Sequence, residues 1–441
     1  IGQVIYQNEN KIITRAIDGF VHSILENSDC TLLNKILVSK GDKGVHGIHK
    51  LFSKLQLPNE KINKNIPIFD LKFDDDMVNT FCEKSRDILT SGRPLSNNKY
   101  VNEFEKKFGK LINAPYTIAV NSGTIALEIA LRAINVSKKI VITPSNTFFA
   151  TQIAVKNAGG IVKFVDIEDQ YLQICPIHLE NILSSHGNDE ISAVIIVHIG
   201  GIISPNFKLI RNICEKYNVK LIEDAAHAHL SQSQGEYAGS IGDIAAFSFF
   251  PTKVMTAGEA GIITTHSEEM YNIMCSIKEF GKQIYKANSS RLIQIREDGG
   301  VNGKISELTG LLGSLECDRV EDRIKKRNIL IDVYTKNLDK NLFKVIKQND
   351  GFCSYYKCIV ILLNSAREKR EQLREFAKKN NINFTGEVYF KGVHDMPAYS
   401  HEKHELPLTE YMCRNHVCPP LYPELSIEDV EYICNIMNTF L

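Results

Sequence analysis

The stretch SAVIIVHIGGIISPNFKLIRNICEKYNVKLIED, residues 192–224, sets two short apolar runs on either side of an amphipathic segment. SAVIIVH (192–198) and VKLIED (219–224) are rich in β-branched residues and read as buried strands, with a helix over about 207–217 between them. Strand, helix and strand in this order form a βαβ unit, whose strands run parallel. The alternation extends outward in both directions. TIAV (117–120) precedes a helix from Thr124, KIVIT (139–143) a helix from about Thr147, and IVKFVD (161–166) a helix over about 176–183. DIAAFSFF (243–250) and GIITT (261–265) continue the series towards the C-terminus. The expected fold is α/β, a mostly parallel central sheet covered by helices on both faces. Ligands of such sheets bind just beyond the carboxyl ends of the strands, which directs attention to the loops that follow them.

A chain of 441 residues suits two or three domains. Residues 1–65 read as an N-terminal extension of unknown role, with amphipathic helices over 13–27 and 48–57, a surface turn at Gly41, Gly44 and Gly47, and a polar linker ending at Pro67. Residues 66–325 form the expected large domain and 326–441 a smaller α+β domain. A long helical pattern over 304–340 bridges them. In the small domain, KCIVILL (357–363) and INFTG (382–386) read as strands, flanked by helices over 366–379 and 426–440.

The charges balance, with 52 basic and 52 acidic side chains, so electrostatics gives no reason to expect nucleic acid or an anionic membrane as partner. No apolar run approaches the roughly 20 residues of a membrane helix. The first residues lack the basic-then-apolar pattern of a secretory signal, and the chain, opening on Ile1, reads as a piece of a longer product. The 11 cysteines contain no C-x-x-C pair. Cys353/Cys358 and Cys413/Cys418 have metal-like spacing without a histidine pair, so they read as buried thiols and no metal is expected. Scattered thiols of this kind suit a reducing, cytoplasmic setting.

Three segments follow strands and carry polar groups. Asn121-Ser122-Gly123-Thr124 opens a helix, where free N–H groups and the macrodipole favour an anion; a plain N-cap with a glycine turn looks the same. Asp224 ends an apolar strand, where a carboxylate can keep a ring nitrogen protonated or can cap the next segment. His227, three residues on, also suits a satisfied core histidine. Lys253 leaves an apolar strand through SFFPTK (248–253), ahead of GEAG (258–261). Such a lysine is either exposed at the surface or held in a partly dry cleft, where it becomes a usable amine nucleophile.

Order and spacing of these segments add a further point. PSNTFFAT (144–151) matches a PxxTFxAT pattern, IEDAAH (222–227) an IEDAA(Q/H) pattern, and residues 248–261 an SFxPTK…GEGG pattern with Ala260 in place of one glycine. GVNGKISEL (300–308), continuing to Gly313, matches GxNxxMSELQAA(L/M)G with Ile305 in place of Met. Over about residues 68–441 the chain resembles the DegT/StrS family of pyridoxal-phosphate (PLP)-dependent sugar-nucleotide aminotransferases, of the aspartate aminotransferase fold type I. That resemblance implies an enzyme that moves an amino group from an amino acid, by analogy L-glutamate, to a keto-sugar nucleotide. It implies that Lys253 forms the internal aldimine and shuttles protons, that Asp224 pairs with the pyridine nitrogen, and that Phe148 stacks on the ring. Ser122, Gly123, Thr124 and Ser248 would hold the phosphate, and His227 would lie near the ring. Asn302 would reach the phosphate of a neighbouring subunit, making a homodimer with shared sites. A sugar dehydratase of the same family would carry histidine where Lys253 stands, a non-catalytic relative would not need the Lys/Asp/Ser set, and a Rossmann dehydrogenase would show G-x-G-x-x-G. Asn146, the segment 200–204 and the segment 387–390 depart from the family pattern and are expected to contact substrate.

Overall fold

A computed structural model describes residues 65–441, apart from 188, 288, 289, 385 and 441, together with three strands near the N-terminus. The chain divides into two compact units, Ile1–Asn63 and Lys64–Leu441. In the first, strands Gln3–Asn8, Lys11–Ala16 and Gly19–Val21 form an antiparallel sheet in sequence order. The helix expected over 13–27 is therefore strand in its first part. The β-branched run Ile12-Ile13-Thr14 favours an extended chain, and Asp18-Gly19 supplies turn chemistry where a helix would have to continue. The helix expected over 48–57 and the turn at 41–47 lie outside the described residues.

The second unit is built on a seven-stranded sheet. Its strands in chain order are β1 (Tyr116–Val120), β2 (Ile140–Pro144), β3 (Ile161–Val165), β4 (Ile191–Val197), β5 (Lys220–Asp224), β6 (Ile244–Ser248) and β7 (Gly261–Thr265). Their spatial order is β1-β7-β6-β5-β4-β2-β3. All pairs are parallel except those of β7, which runs antiparallel to both β6 and β1. No crossover helix separates β6 from β7, so the chain returns alongside the strand it has just left.

Side chains alternate between the two faces, as strand geometry demands. Ala193, Ile195, Ile222, Ile244, Ala246 and Ile263 face helix α3 (Gly123–Ala133), which buries Ala126, Leu127, Ile129 and Ala130 against them. Val194, Ile196, Leu221, Ala245, Phe247 and Ile262 face the other layer. There Phe104 and Phe108 come from α2 (Lys99–Leu111), after α1 (Asp75–Thr90), while α4 (Ala150–Asn157) lies beside α3 on the first face; Leu179 and Ile182 come from α5 (Pro176–Ser184), and Phe207, Ile210 and Ile213 from α6 (Phe207–Lys216). The near-continuous apolar runs of the sequence thus serve two cores at once.

The long helix expected over 304–340 is two helices, α8 (Glu307–Cys317) and α9 (Val320–Asn337), after α7 (Glu268–Lys278). Ser306 caps the first through the Thr309 amide, and the chain breaks at Asp318-Arg319, where Arg319 pairs with Asp74. Helix α9 joins two cores: Val320 and Ile324 pack with the sheet, and Leu330, Ile331 and Tyr334 pack with the C-terminal residues. The C-terminal sheet comprises Phe343–Val345, Val360–Leu362 and His416–Val417. Residues 382–386 are not its strand; Ile382 makes one parallel bridge to Ile66 instead. Helices Arg370–Lys379, Pro407–Arg414 and Ile427–Asn438 complete this part. Cys353, Cys358, Cys413 and Cys418 are all buried there.

One buried carboxylate fixes β5. Glu223 accepts hydrogen bonds from the amides of Gly239, Ile241 and Gly242 and from His198 Nε2, all within 2.9 Å. Its removal strands these donors in a dry core. Glu223→Ala is expected to cost about 3–5 kcal/mol of stability, read as a lowered denaturant midpoint of the second unit. An unchanged midpoint would contradict this role.

Candidate functional site

The carboxyl ends of β5 and β6 lie side by side in parallel register, with Ala246 opposite Asp224, so Asp224 and the loop after Ser248 open onto the same crevice. Three backbones converge there. Ser248 pairs with Gly261, and Gly261 with Val120, the last residue of β1. A Cβ at Gly261 would come within 2.4 Å of the Ser122 carbonyl oxygen, and a Cβ at Gly123 within 2.8 Å of Ser248 Cβ. Glycine at both positions lets the first turn of α3 approach the end of β6. The α3 N-terminus, with its free N–H groups, thereby lies against the Ser248 side chain. Ser122 caps α3, its hydroxyl oxygen accepting from the Ile125 amide at 3.2 Å. Thr124 lies in the same first turn and is half-buried.

Asp224 is buried. Its Oδ2 accepts from Thr151 Oγ1 at 2.8 Å and its Oδ1 from the Ala226 amide at 3.2 Å. Thr151 in turn lies 2.9 Å from Thr147 Oγ1, so the PSNTFFAT segment supports the carboxylate from the neighbouring loop. Burial raises the Asp224 pKa, opposed by these two donors and by Lys253. Lys253, half-buried, extends its amine over the Tyr356 ring, 4.6 Å from the centroid. Burial brings its pKa down to about 8, against the pull of Asp224 and with the help of Lys357.

His227 stacks on that same Tyr356 ring, the two centroids 4.2 Å apart. Its Nδ1 accepts from the Gly200 amide at 3.3 Å, and its Nε2 lies 3.3 Å from Tyr389 Oη. Burial holds it well below the ordinary histidine range, so it is a neutral imidazole. Phe148 stands at the edge of the crevice, about half exposed, with Phe149 at 4.1 Å and Tyr389 at 6.2 Å. Asn302 has an exposed side chain, while its backbone carbonyl accepts from Asn121 Nδ2 at 3.1 Å, beside the α3 turn of its own chain.

The structure thus brings Ser122, Gly123, Thr124, Asp224, His227, Ser248 and Lys253 to one crevice, with Phe148 and Asn302 on its margin. Tyr389, in the segment 387–390 expected to contact substrate, lines the crevice from the C-terminal part. Sequence reasoning missed Tyr356, which lines it from the same side, and Thr252, whose hydroxyl lies 3.1 Å from Tyr356 Oη. Nothing in their local spacing marks them. Residues 200–204, expected to contact substrate, are buried, and a Cβ at Gly201 would fall 2.2 Å from Ser354 Oγ, so this segment packs beneath His227. Asn146 is buried and anchors the Tyr389 amide through its Oδ1.

The sequence profile of the DegT/DnrJ/EryC1/StrS aminotransferase family matches residues 75–438. The chain belongs to that family. It is 30% identical to GDP-perosamine synthase of Escherichia coli O157:H7 over 348 residues, 78% of this chain and 91% of that one. It is 28% identical over 351 residues to the UDP-4-amino-4,6-dideoxy-N-acetyl-beta-L-altrosamine transaminase of Campylobacter jejuni, 79% of this chain and 91% of that one. The fold matches the solved PLP-form of Spr1654 from Streptococcus pneumoniae with a TM-score of 0.76 at 22% identity, covering 86% of this chain and 98% of that one. This family member therefore has the fold type that its strand pattern implied, and no helix among its described residues is long and apolar enough to cross a membrane.

An amine with a pKa near 8 is neutral in about a tenth of molecules at pH 7 and mostly neutral at pH 9. Capture of an aldehyde by Lys253 in the cofactor-free chain should therefore rise with pH through a midpoint near 8. A midpoint near 10.5, the value of an ordinary lysine, would contradict the dry setting of the amine.

Proposed function

We propose that the protein is a PLP-dependent aminotransferase that takes the amino group of an amino acid, L-glutamate in the simplest case, and passes it to a keto-sugar nucleotide. The observation that carries the reading is the half-buried Lys253 amine beside the buried Asp224 carboxylate, at adjacent strand ends, across from the open first turn of α3. The relatives' names support the substrate class, since the two proteins above are a perosamine synthase acting at the GDP-sugar level and a UDP-sugar transaminase.

The side chains present fit the cofactor. A turn of free amides with Ser122, Gly123, Thr124 and Ser248 around it suits a phosphate dianion. A carboxylate whose burial disfavours its charge is stabilised by a cationic N–H, which is what a protonated pyridine nitrogen offers to Asp224. A lysine brought down to about 8 suits bonding to an aldehyde. When bound, PLP supplies the electron sink that makes the donor's Cα proton removable.

The chain's residues do the rest. Lys253 would take the proton from the donor Cα, hold it for return, and reverse that transfer on the sugar carbon. Asp224 would keep a ring nitrogen protonated, with Thr151 aiming its carboxylate. Phe148, at the margin of the crevice, would pack against the ring. His227, neutral and held between Gly200 and Tyr389, shapes the side of the crevice without adding charge. Two copies of the chain would share sites, Asn302 of each reaching the phosphate of the other; its exposed side chain leaves it free to do so. The part of the chain beyond about residue 325 would act as the second, smaller domain that supplies Tyr356 and Tyr389.

Purified protein supplied with PLP, L-glutamate and a panel of keto-sugar nucleotides should yield 2-oxoglutarate and one aminated sugar in equal amounts. Lys253→Ala should abolish turnover, and Asp224→Asn should lower kcat at least roughly 100-fold while the protein stays folded. A fully active Lys253→Ala variant would overturn the mechanism.

A further inference from the structure

We propose that Lys357 is the residue that binds a carboxylate of the amino donor. The inference rests on the aminotransferase reading above and adds a substrate contact to it.

Lys357 and Lys253 come from parts of the chain more than a hundred residues apart, yet both ammonium groups address one ring. Lys357 Nζ lies 5.2 Å from the Tyr356 centroid and Lys253 Nζ 4.6 Å. Tyr356 itself is fixed on its other contacts, by the stacked His227 ring and by Thr252 Oγ1 at 3.1 Å. The space around the Lys357 ammonium is reserved. Gly386, at φ +83°, would place a Cβ 3.1 Å from Nζ, so any side chain there would press on the amine.

Lys357 has no ion pair among the described residues. The acidic side chain that bears on it, Glu387, is engaged by Arg374 Nε at 3.7 Å. The other groups that bear on Lys357 are the Cys418 thiol, the buried Arg327 guanidinium, which repels it, and Lys253, whose amine addresses the same ring. Burial lowers the Lys357 pKa, and neither Cys418 nor Glu387 restores it. A half-buried cation with no ion pair among the described residues is costly in the free protein and is satisfied when an anion enters.

Geometry selects the anion. In an α-amino acid the carboxylate is one carbon away from the nitrogen that must reach the Lys253 position. A second cation addressing the same Tyr356 ring as Lys253 is placed to take that carboxylate. The phosphates of a sugar nucleotide lie beyond the sugar ring and its glycosidic oxygen, and the phosphate of the cofactor has its own cradle at α3. Lysine suits the task as a flexible point charge that follows its anion.

The test uses the holoprotein in the absence of any sugar. Wild type, Lys357→Met and Lys357→Arg are mixed with L-glutamate, and the cofactor spectrum is followed through one half-reaction. Half-saturating glutamate should rise roughly 10- to 100-fold in Lys357→Met and return most of the way in Lys357→Arg. Binding of glutarate, a dicarboxylate with no amine to react, should weaken by a similar factor when titrated through the same spectrum. Inhibition by GDP or UDP should be unchanged. Equal glutamate and glutarate affinities in wild type and Lys357→Met would overturn the proposal, as would a loss confined to GDP or UDP, which would give Lys357 to the sugar nucleotide. A wild type whose cofactor glutamate leaves unchanged would refute the aminotransferase reading, and glutarate binding would still decide Lys357. Lys357→Gln replaces the methionine variant if the latter fails to retain cofactor.

Discussion

Two opposite charges taken partly out of water, the Asp224 carboxylate and the Lys253 amine, constrain everything around them. Each is penalised by burial, and each offsets part of the other's penalty. Left as a simple ion pair they would be weak evidence for anything but local cost. Placed in the loops at the ends of adjacent parallel strands, with Thr151 and the Ala226 amide holding the carboxylate, they are kept in a fixed relation that suits the proposed acid–base chemistry. β5 is locked by the buried Glu223 one residue before Asp224, so Asp224 inherits its position from a structural carboxylate.

The same economy governs the opposite wall. Gly123 and Gly261 carry no side chain where the α3 turn, β6 and β7 meet, and the missing Cβ atoms are what allow amide donors to face Ser248. The third wall belongs to the C-terminal part, where Tyr356 lies between the His227 ring and two lysine amines. Helix α9, which packs into both hydrophobic cores, ties that wall to the sheet. Segment 200–204 is buried as well, and its Gly200 amide supports His227.

The sheet was legible because its strands are buried on both faces, and a short continuous run of Val, Ile and Ala such as 192–197 has few other uses. Gly261–Thr265 could be bounded to the residue, since Gly261 ends one loop and Thr265 the apolar run. Site residues on the strand-end loops were legible for a related reason: each follows a recognisable strand, and four ordered motifs tie them together. What the sequence hid came from long-range packing. Tyr356 and Lys357 reach the crevice from more than a hundred residues downstream of Lys253, in a segment with no local signature of a site. The break at Asp318-Arg319 was invisible because apolar positions on both sides keep helical spacing. Ile382 looks like a strand residue, yet among the described residues it bridges Ile66 alone. In the N-terminal unit, β-branched residues and Asp18-Gly19 outweighed an amphipathic pattern that could equally have been read as helix.

The central claim is a covalent one, and chemistry can address it without any substrate. The PLP-loaded protein, reduced with borohydride, digested and mapped by mass spectrometry, should carry the pyridoxyl mass on the peptide containing Lys253 and on no other. A modified lysine elsewhere, or no modified peptide at all, would contradict the account.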